Sequence, residues 1–331
     1  MQYRRLSDSE LNVSVLAFGA WQLAHDAYWG ADADADPVGA VHKAVEIGVN
    51  LFDTAEMYNE GESERVLGQA LKGIRDKVYI ASKVSPDHLH PVAVRNACET
   101  SLKNLDTDWI DLYQVHWPSR EVPFDDTYGA LLQLKEEGKI REIGLSNFGT
   151  EDLGRWCSIG SAVSNQLCYN LLFRAIEYDI VPECVKRNIG ILAYMPLMQG
   201  ILSGRWDSVE VIPQKRRRTR HFAPDREGVM HTEPGCERET MDTVRELNVI
   251  ADDLGETSAT VAMAWLIAQP GVSSVVAGAR KPAQVERNHR AATLHLPEKT
   301  ITRLDEASAA LKKRLGANAD AWLCDQKARI R

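Results

Sequence analysis

The sequence has no GxGxxG loop, no GxxxxGK[ST] phosphate loop and no CxxC pair. Open, doubly wound nucleotide-binding sheets usually carry the first of these near their start, so its absence counts against that fold. The six cysteines (Cys98, Cys157, Cys168, Cys184, Cys236 and Cys324) are irregularly spaced. That spacing suggests neither a disulfide framework nor a zinc site, and it fits reduced thiols. Long apolar runs are also missing. The longest, around 259–268, falls well short of the roughly 20 residues that span a bilayer. The first residues contain no apolar core of a secretory signal, and a cytoplasmic setting is the expectation. Excess positive charge is absent too: the net charge is −8, which argues against nucleic acid or an anionic membrane as the main partner. Asp32, Asp34 and Asp36 resemble the start of a calcium loop, but Pro37 stands where glycine is required and Lys43 where glutamate is required. No metal is expected.

What is present is an ordinary globular composition, 44% hydrophobic and 26% charged over 331 residues, enough to bury a large core as one domain spanning 1–331. Short apolar or β-branched runs recur at 16–19, 50–54, 78–83, 110–116, 140–146, 162–166, 190–194 and 275–279. Amphipathic stretches at 38–48, 63–71, 92–105, 126–138, 153–158, 180–188, 258–269 and 282–292 lie between and after them. Strands alternating with helices predict a parallel sheet with crossovers, and eight such units predict a (β/α)8 barrel. Tyr3–Leu6 and Leu11–Val15 predict a hairpin under the barrel floor, and 297–311 predicts an extra C-terminal helix. The tail beyond it either folds back or stays mobile. A long aperiodic loop at about 200–235 follows the seventh strand, and loops of this length usually serve function. It carries the one basic run, Lys215 to Arg218 and Arg220. That run is expected to be a solvated loop, or else to steer an anionic cofactor or substrate.

Barrel chemistry sits at the C-terminal ends of the strands. There the second strand ends in Asp53, with Tyr58 close behind, the third in Lys83 and the fourth in His116. Any one of them alone has a bland explanation, such as a cap, a surface charge or a packing ring. Four at consecutive strand ends form a unit. Reducing a carbonyl by hydride transfer leaves charge on oxygen that must be protonated as it forms. A phenol of pKa near 10 is a weak acid for that task, and a neighbouring cation should bring it toward working range. Lys83 would be that cation, Asp53 its anchor, and His116 a hydrogen-bond partner that orients the carbonyl. The hydride itself requires a cofactor.

The segments around these residues (50–58, 80–83 and 111–116), with 144–148, 166–170, 194–197 and 278–280, closely resemble the signatures of the aldo-keto reductase superfamily over about residues 1–310. Within it the chain resembles the bacterial branch that sits alongside sugar-aldehyde and general aldehyde reductases. The resemblance implies that NADP(H)-dependent reduction of an aldehyde or ketone uses Tyr58 as general acid/base. It further implies cofactor contacts. Ser146, Asn147, Gln166 and Tyr194 would meet the nicotinamide, and Leu197, Gln199, Gly200, Leu202 and Gly204 the pyrophosphate. Gly278, Arg280, Lys281, Gln284 and Asn288 would grip the adenosine end. Two adjacent cations, Arg280 and Lys281, suit a 2′-phosphate and favour NADP(H) over NAD(H). Met195, Met198 and Arg287 depart from the family pattern. Trp21, Tyr28, Trp29 and Trp117 are the candidate walls of a small-molecule substrate pocket. Two rivals remain: a nicotinamide-binding regulatory subunit on the same fold, and a barrel lyase or isomerase without nicotinamide.

Overall fold

The computed structural model describes residues 1–23 and 34–331, so Tyr28, Trp29 and Asp32 lie outside the described residues. Two short strands, β1 (Tyr3–Arg5) and β2 (Asn12–Ser14), form an antiparallel hairpin. Eight parallel strands follow: β3 (Leu16–Gly19), β4 (Leu51–Asp53), β5 (Tyr79–Val84), β6 (Ile110–Val115), β7 (Ile140–Ser146), β8 (Ser164–Cys168), β9 (Gly190–Tyr194) and β10 (Val272–Gly278). They close in sequence order, with β10 paired back onto β3. The helices are α1 (Pro37–Glu46), α2 (Glu62–Leu71), α3 (Pro91–Leu105), α4 (Phe124–Glu136), α5 (Thr150–Cys157), α6 (Ile180–Lys186), α7 (Glu237–Leu254), α8 (Ser258–Ile267), α9 (Pro282–Thr293) and α10 (Glu298–Leu315). No helix among the described residues is long and apolar enough to cross a membrane. The (β/α)8 barrel, its floor hairpin and the extra C-terminal helix are thus as the sequence implies.

The two-residue period of a strand decides what the barrel holds. Ala17, Leu51, Ala81, Leu112, Leu192 and Val276 point inward and pack with Leu6, Leu11 and Val13 of the hairpin, which plugs the floor. Two residues further along β4, β5 and β6, the same inward face presents Asp53, Lys83 and Gln114. Below is hydrocarbon and above is charge, and both layers are buried. Gly144 on β7 marks how tight the interior is: a Cβ there would stand 2.6 Å from Ser164 Oγ and 2.8 Å from Gln114 Cγ. The alternate residues, such as Ile80 and Tyr113, are buried under the helices in the main core.

The structure departs from the sequence reading in the bounds of two strands, in one helix and in the basic run. The eighth strand begins at Val272, three residues early, and the sixth at Ser164, two residues late. Helix α7 fills a stretch for which the sequence reading offers no element. Its signal is present, because Met241, Val244, Leu247, Ile250 and Ala251 recur at helical spacing and are buried. The aperiodic loop before it conceals the onset. The basic run is not a solvated loop. Arg216 donates to Gln199 O (2.8 Å), Arg217 to Val209 O (3.2 Å), and Arg220 is buried against the C-terminal tail. That tail folds back across the barrel mouth.

Candidate active site

Three neighbouring strands place a charged knot at the top of the barrel. Lys83 Nζ, fully buried, donates to Asp53 Oδ1 (2.7 Å), to Thr54 O (2.7 Å) and to the Tyr58 hydroxyl (3.2 Å). These three acceptors use all the hydrogens of an ammonium. The other Asp53 oxygen, Oδ2, accepts from Gln166 Nε2 (2.7 Å) and Gln114 Nε2 (3.3 Å). The carboxylate is therefore held from both sides, which is what a buried ion pair needs if it is to offset its desolvation. His116 completes the group, its ring edge-on to the Tyr58 ring at 5.7 Å between centroids.

Their titration follows from that enclosure. Burial pushes the Tyr58 phenol above its usual value, while Lys83 pulls it back down and Asp53 adds to the rise. The sequence reading has the cation prevailing, but in the folded protein desolvation outweighs it. For Lys83, burial favours the neutral amine, but Asp53 and Tyr58 outweigh it and hold its pKa above the ordinary value. Burial, then Lys83, hold the His116 imidazole well below its ordinary range, so it is neutral at pH 7.

These residues open into a cavity of about 960 Å³, at the upper end of the range for ligand sites. Ser146, Asn147, Gln166, Tyr194, Leu197, Gln199, Gly200, Gly278, Arg280, Gln284 and Asn288 line it, as do Trp21 and Trp117. Leu202, Gly204 and Lys281 are not in its wall. Leu202 is fully buried in the core, and Lys281 pairs with Asp34 at 3.5 Å. Asn147 has a left-handed backbone (φ 63°) and is fixed by donating to His116 O (3.0 Å) and by accepting from the Tyr194 hydroxyl (2.9 Å). Gln284 Oε1 accepts from Arg280 N (2.7 Å), shaping the turn into α9.

The halves of the cavity differ in character. Segments after β9 and β10 supply four guanidinium groups, from Arg205, Arg216, Arg280 and Arg287. Met198, Gln199 and Gly200 run consecutively with positive φ, a backbone shape suited to a concave anion cradle. At Gly200 a Cβ would stand 3.1 Å from Arg216 Nη1. Loops after β3, β4 and β6 supply Trp21, Met57 and Trp117 instead, beside Tyr58 and His116. A long cofactor with phosphates in its middle and a flat ring at its reactive end fits this division, and the buried His116 Nδ1, which has no hydrogen-bond partner among the described residues, lies near that end.

Sequence reasoning misses Gln114, Arg205 and Trp322, and names Arg216 only within the basic run that is either solvated or steers an anion. Gln114 is legible in hindsight, because it lies two residues before His116 on the inward face of β6. Arg205 sits in aperiodic loop, and Trp322 in the tail, where no pattern marks a lining residue.

Fold and rim together define a (β/α)8-barrel enzyme whose site lies at the carboxyl ends of its strands. The family is equally clear: residues 15–309 match the aldo/keto reductase family, and the chain belongs to it. Its members are oxidoreductases that use nicotinamide cofactors. The chain is 32% identical to a methylglyoxal reductase of Escherichia coli, over 94% of this chain and 97% of that protein. It is 29% identical to an NADH-specific methylglyoxal reductase of the same organism, over 93% and 98%. Among solved structures it is similar to an aldo-keto reductase from Klebsiella pneumoniae in complex with NADPH, with 30% identity, a TM-score of 0.73 and coverage of 92% and 94%.

Proposed function

We propose that the protein reversibly reduces an aldehyde or ketone to the alcohol with NADP(H), Tyr58 serving as general acid/base. The observation that carries this reading is the Lys83 ammonium, which bridges Asp53 and the Tyr58 hydroxyl in a buried site beside His116. Bound at this cavity, the nicotinamide would supply the hydride. The protein's own groups do the rest. The Tyr58 hydroxyl delivers a proton to the carbonyl oxygen as charge builds there. Lys83 stabilises the phenolate left behind, and Asp53 keeps the ammonium in place. Neutral His116 donates a hydrogen bond to the same oxygen and orients it. Ser146, Asn147 and Gln166 would hold the nicotinamide end, with the Tyr194 ring against it. Leu197, Gln199 and Gly200 would face the phosphates.

The preference for NADP(H) rests on Arg280, now joined by Arg287, Arg205 and Arg216, because guanidinium groups suit a 2′-phosphate. Lys281 does not add to that argument. The relatives include both an enzyme named for NADH and one solved with NADPH, so the preference is a property of these arginines rather than of the family.

The test is NADPH oxidation with a panel of aldehydes including methylglyoxal, for the native chain and for Tyr58→Phe. Turnover should fall by several orders of magnitude in the variant, while NADPH binding stays within about threefold. More than about a tenth of native turnover in the variant would sink the assignment. NADPH binding by the native protein without turnover of any carbonyl would favour a regulatory, nicotinamide-binding role.

A further inference from the structure

Residues 316–331 hold no strand and only one short 3-10 turn, at Asp325–Lys327, yet they are fastened by buried polar groups. The Asp320 side chain has no exposure. Its Oδ1 accepts from the amides of Trp322 (3.0 Å) and Leu323 (3.2 Å), and its Oδ2 accepts from Arg329 N (3.2 Å) and Nε (2.8 Å). From the opposite side comes Arg220, whose side chain is only 4% exposed. Its backbone amide donates to Ala321 O (2.8 Å), Nη1 to Asn318 O (2.9 Å) and Nη2 to Leu315 O (2.8 Å), while Nε pairs with Glu233 (2.9 Å). Three donors of one residue thus set the segment that carries Trp322, and Trp322 lines the cavity. The Arg329 guanidinium then lies 4.0 Å over the Trp117 ring and 5.9 Å from the Trp322 ring, tying this wall to the residue after His116.

Ordering a terminal segment costs roughly 1–2 kcal/mol per residue in conformational entropy, so loose ends are the default. A buried arginine with each side-chain nitrogen hydrogen-bonded and a fully enclosed aspartate are more than is needed to hold down a tail with no task. The surface they fix is flat and apolar. Trp322 joins Trp117 and Trp21, whose ring lies 5.9 Å from that of Tyr58. The guanidinium stacked on this aromatic wall, Arg329, is paired with Asp320.

Resting on the reading of the site as a carbonyl reductase, we propose that Trp322 selects the substrate and that Arg220 is the positioning residue that sets it. The class selected is an uncharged carbonyl compound with a flat apolar group next to the carbonyl, such as an aryl aldehyde. The basic run thereby acquires a purpose. Arg216 fixes the cradle at Gln199, and four residues later Arg220 fixes the substrate wall.

The experiment compares kcat/KM for benzaldehyde and methylglyoxal in the native chain, Trp322→Ala, Arg220→Met and Arg220→Lys, with NADPH dissociation constants measured by fluorescence. Trp322→Ala should lower the benzaldehyde-to-methylglyoxal ratio about tenfold or more, since losing an apolar wall discriminates on this scale. Arg220→Met should lower the same ratio through the KM for benzaldehyde rather than through kcat, and Arg220→Lys should restore part of it. NADPH affinity should move less than about twofold throughout. A ratio unchanged in Trp322→Ala overturns the proposal while leaving the reductase reading intact. Arg220→Met lowering kcat for both aldehydes equally, with the ratio constant, assigns Arg220 a purely structural part and also overturns it. If Arg220→Met does not fold, the lysine variant and Trp322→Ala still decide the question. A native chain that reduces neither aldehyde overturns the reductase reading and this inference together.

Discussion

Lys83 Nζ and Asp53 Oδ1 lie 2.7 Å apart in a site that excludes solvent from the ammonium entirely. Removing one partner strands the other charge. Replacing Lys83 with Met should cost about 3–5 kcal/mol of stability, read as a fall in urea midpoint, and should reduce turnover by orders of magnitude. A Lys83→Met protein as stable as the native one would show that Asp53 takes up a proton instead.

The two rings above that pair set the pH profile. His116 is held well below its ordinary pKa, so it stays neutral from pH 6 upward and contributes no acidic limb in that range. Tyr58 is held above its ordinary value, so the phenol stays protonated until the pH passes beyond 10. The reductive kcat/KM should therefore be flat between about pH 6 and 10 and decline only above that. An inflection near 6.5 that disappears in His116→Ala would contradict this assignment.

Cofactor choice is tested at Arg280. Arg280→Ala should weaken NADPH binding by about 10–100-fold, the loss expected for one charge-assisted contact to phosphate. NADH binding should change by less than about threefold, as measured by fluorescence titration. Equal losses for both cofactors would move the 2′-phosphate contact elsewhere, with Arg287 the next position to test.

Away from the site, Glu64 is a buried carboxyl whose pKa burial raises, with Ser82 (2.6 Å) and Asn104 (3.0 Å) donating to it and pulling the other way. A raised folded-state pKa means that the folded form prefers the proton. The contribution is fully present below the unfolded value near 4.5 and is lost as pH rises through the folded one. Relative to the native chain, Glu64→Gln should therefore gain in stability between pH 4 and pH 8, as measured by urea denaturation. A constant difference across that range would show that folding leaves the Glu64 pKa unshifted.

The barrel was legible because its signals are periodic. Ala81 and Lys83, or Leu112, Gln114 and His116, alternate with outward residues, and a strand that reaches the rim with Asp, Lys or His is read directly. The cofactor side was legible only in part. Arg280, Gln284 and Asn288 flank a helix start that the sequence shows, whereas Lys281, one residue after Arg280, pairs with Asp34. The remainder lies where backbone shape is set by contacts far away in sequence. Nothing near Trp322 in the chain indicates that Arg220 holds its neighbour, and no local pattern in 200–235 announces that Arg216 will reach Gln199.

The pairing of β10 with β3, which joins Val275 to Leu16, has a consequence for the chain's history rather than for its chemistry. Neither end of the barrel sheet is satisfied until residues near 275 have been made and folded. During synthesis, β3 and β9 each present an unpaired edge of apolar strand. Contacts that span nearly the whole chain are also the slowest to form. The vulnerable period therefore comes late, and crowding or heat should trap this protein as aggregates mainly while it is being born.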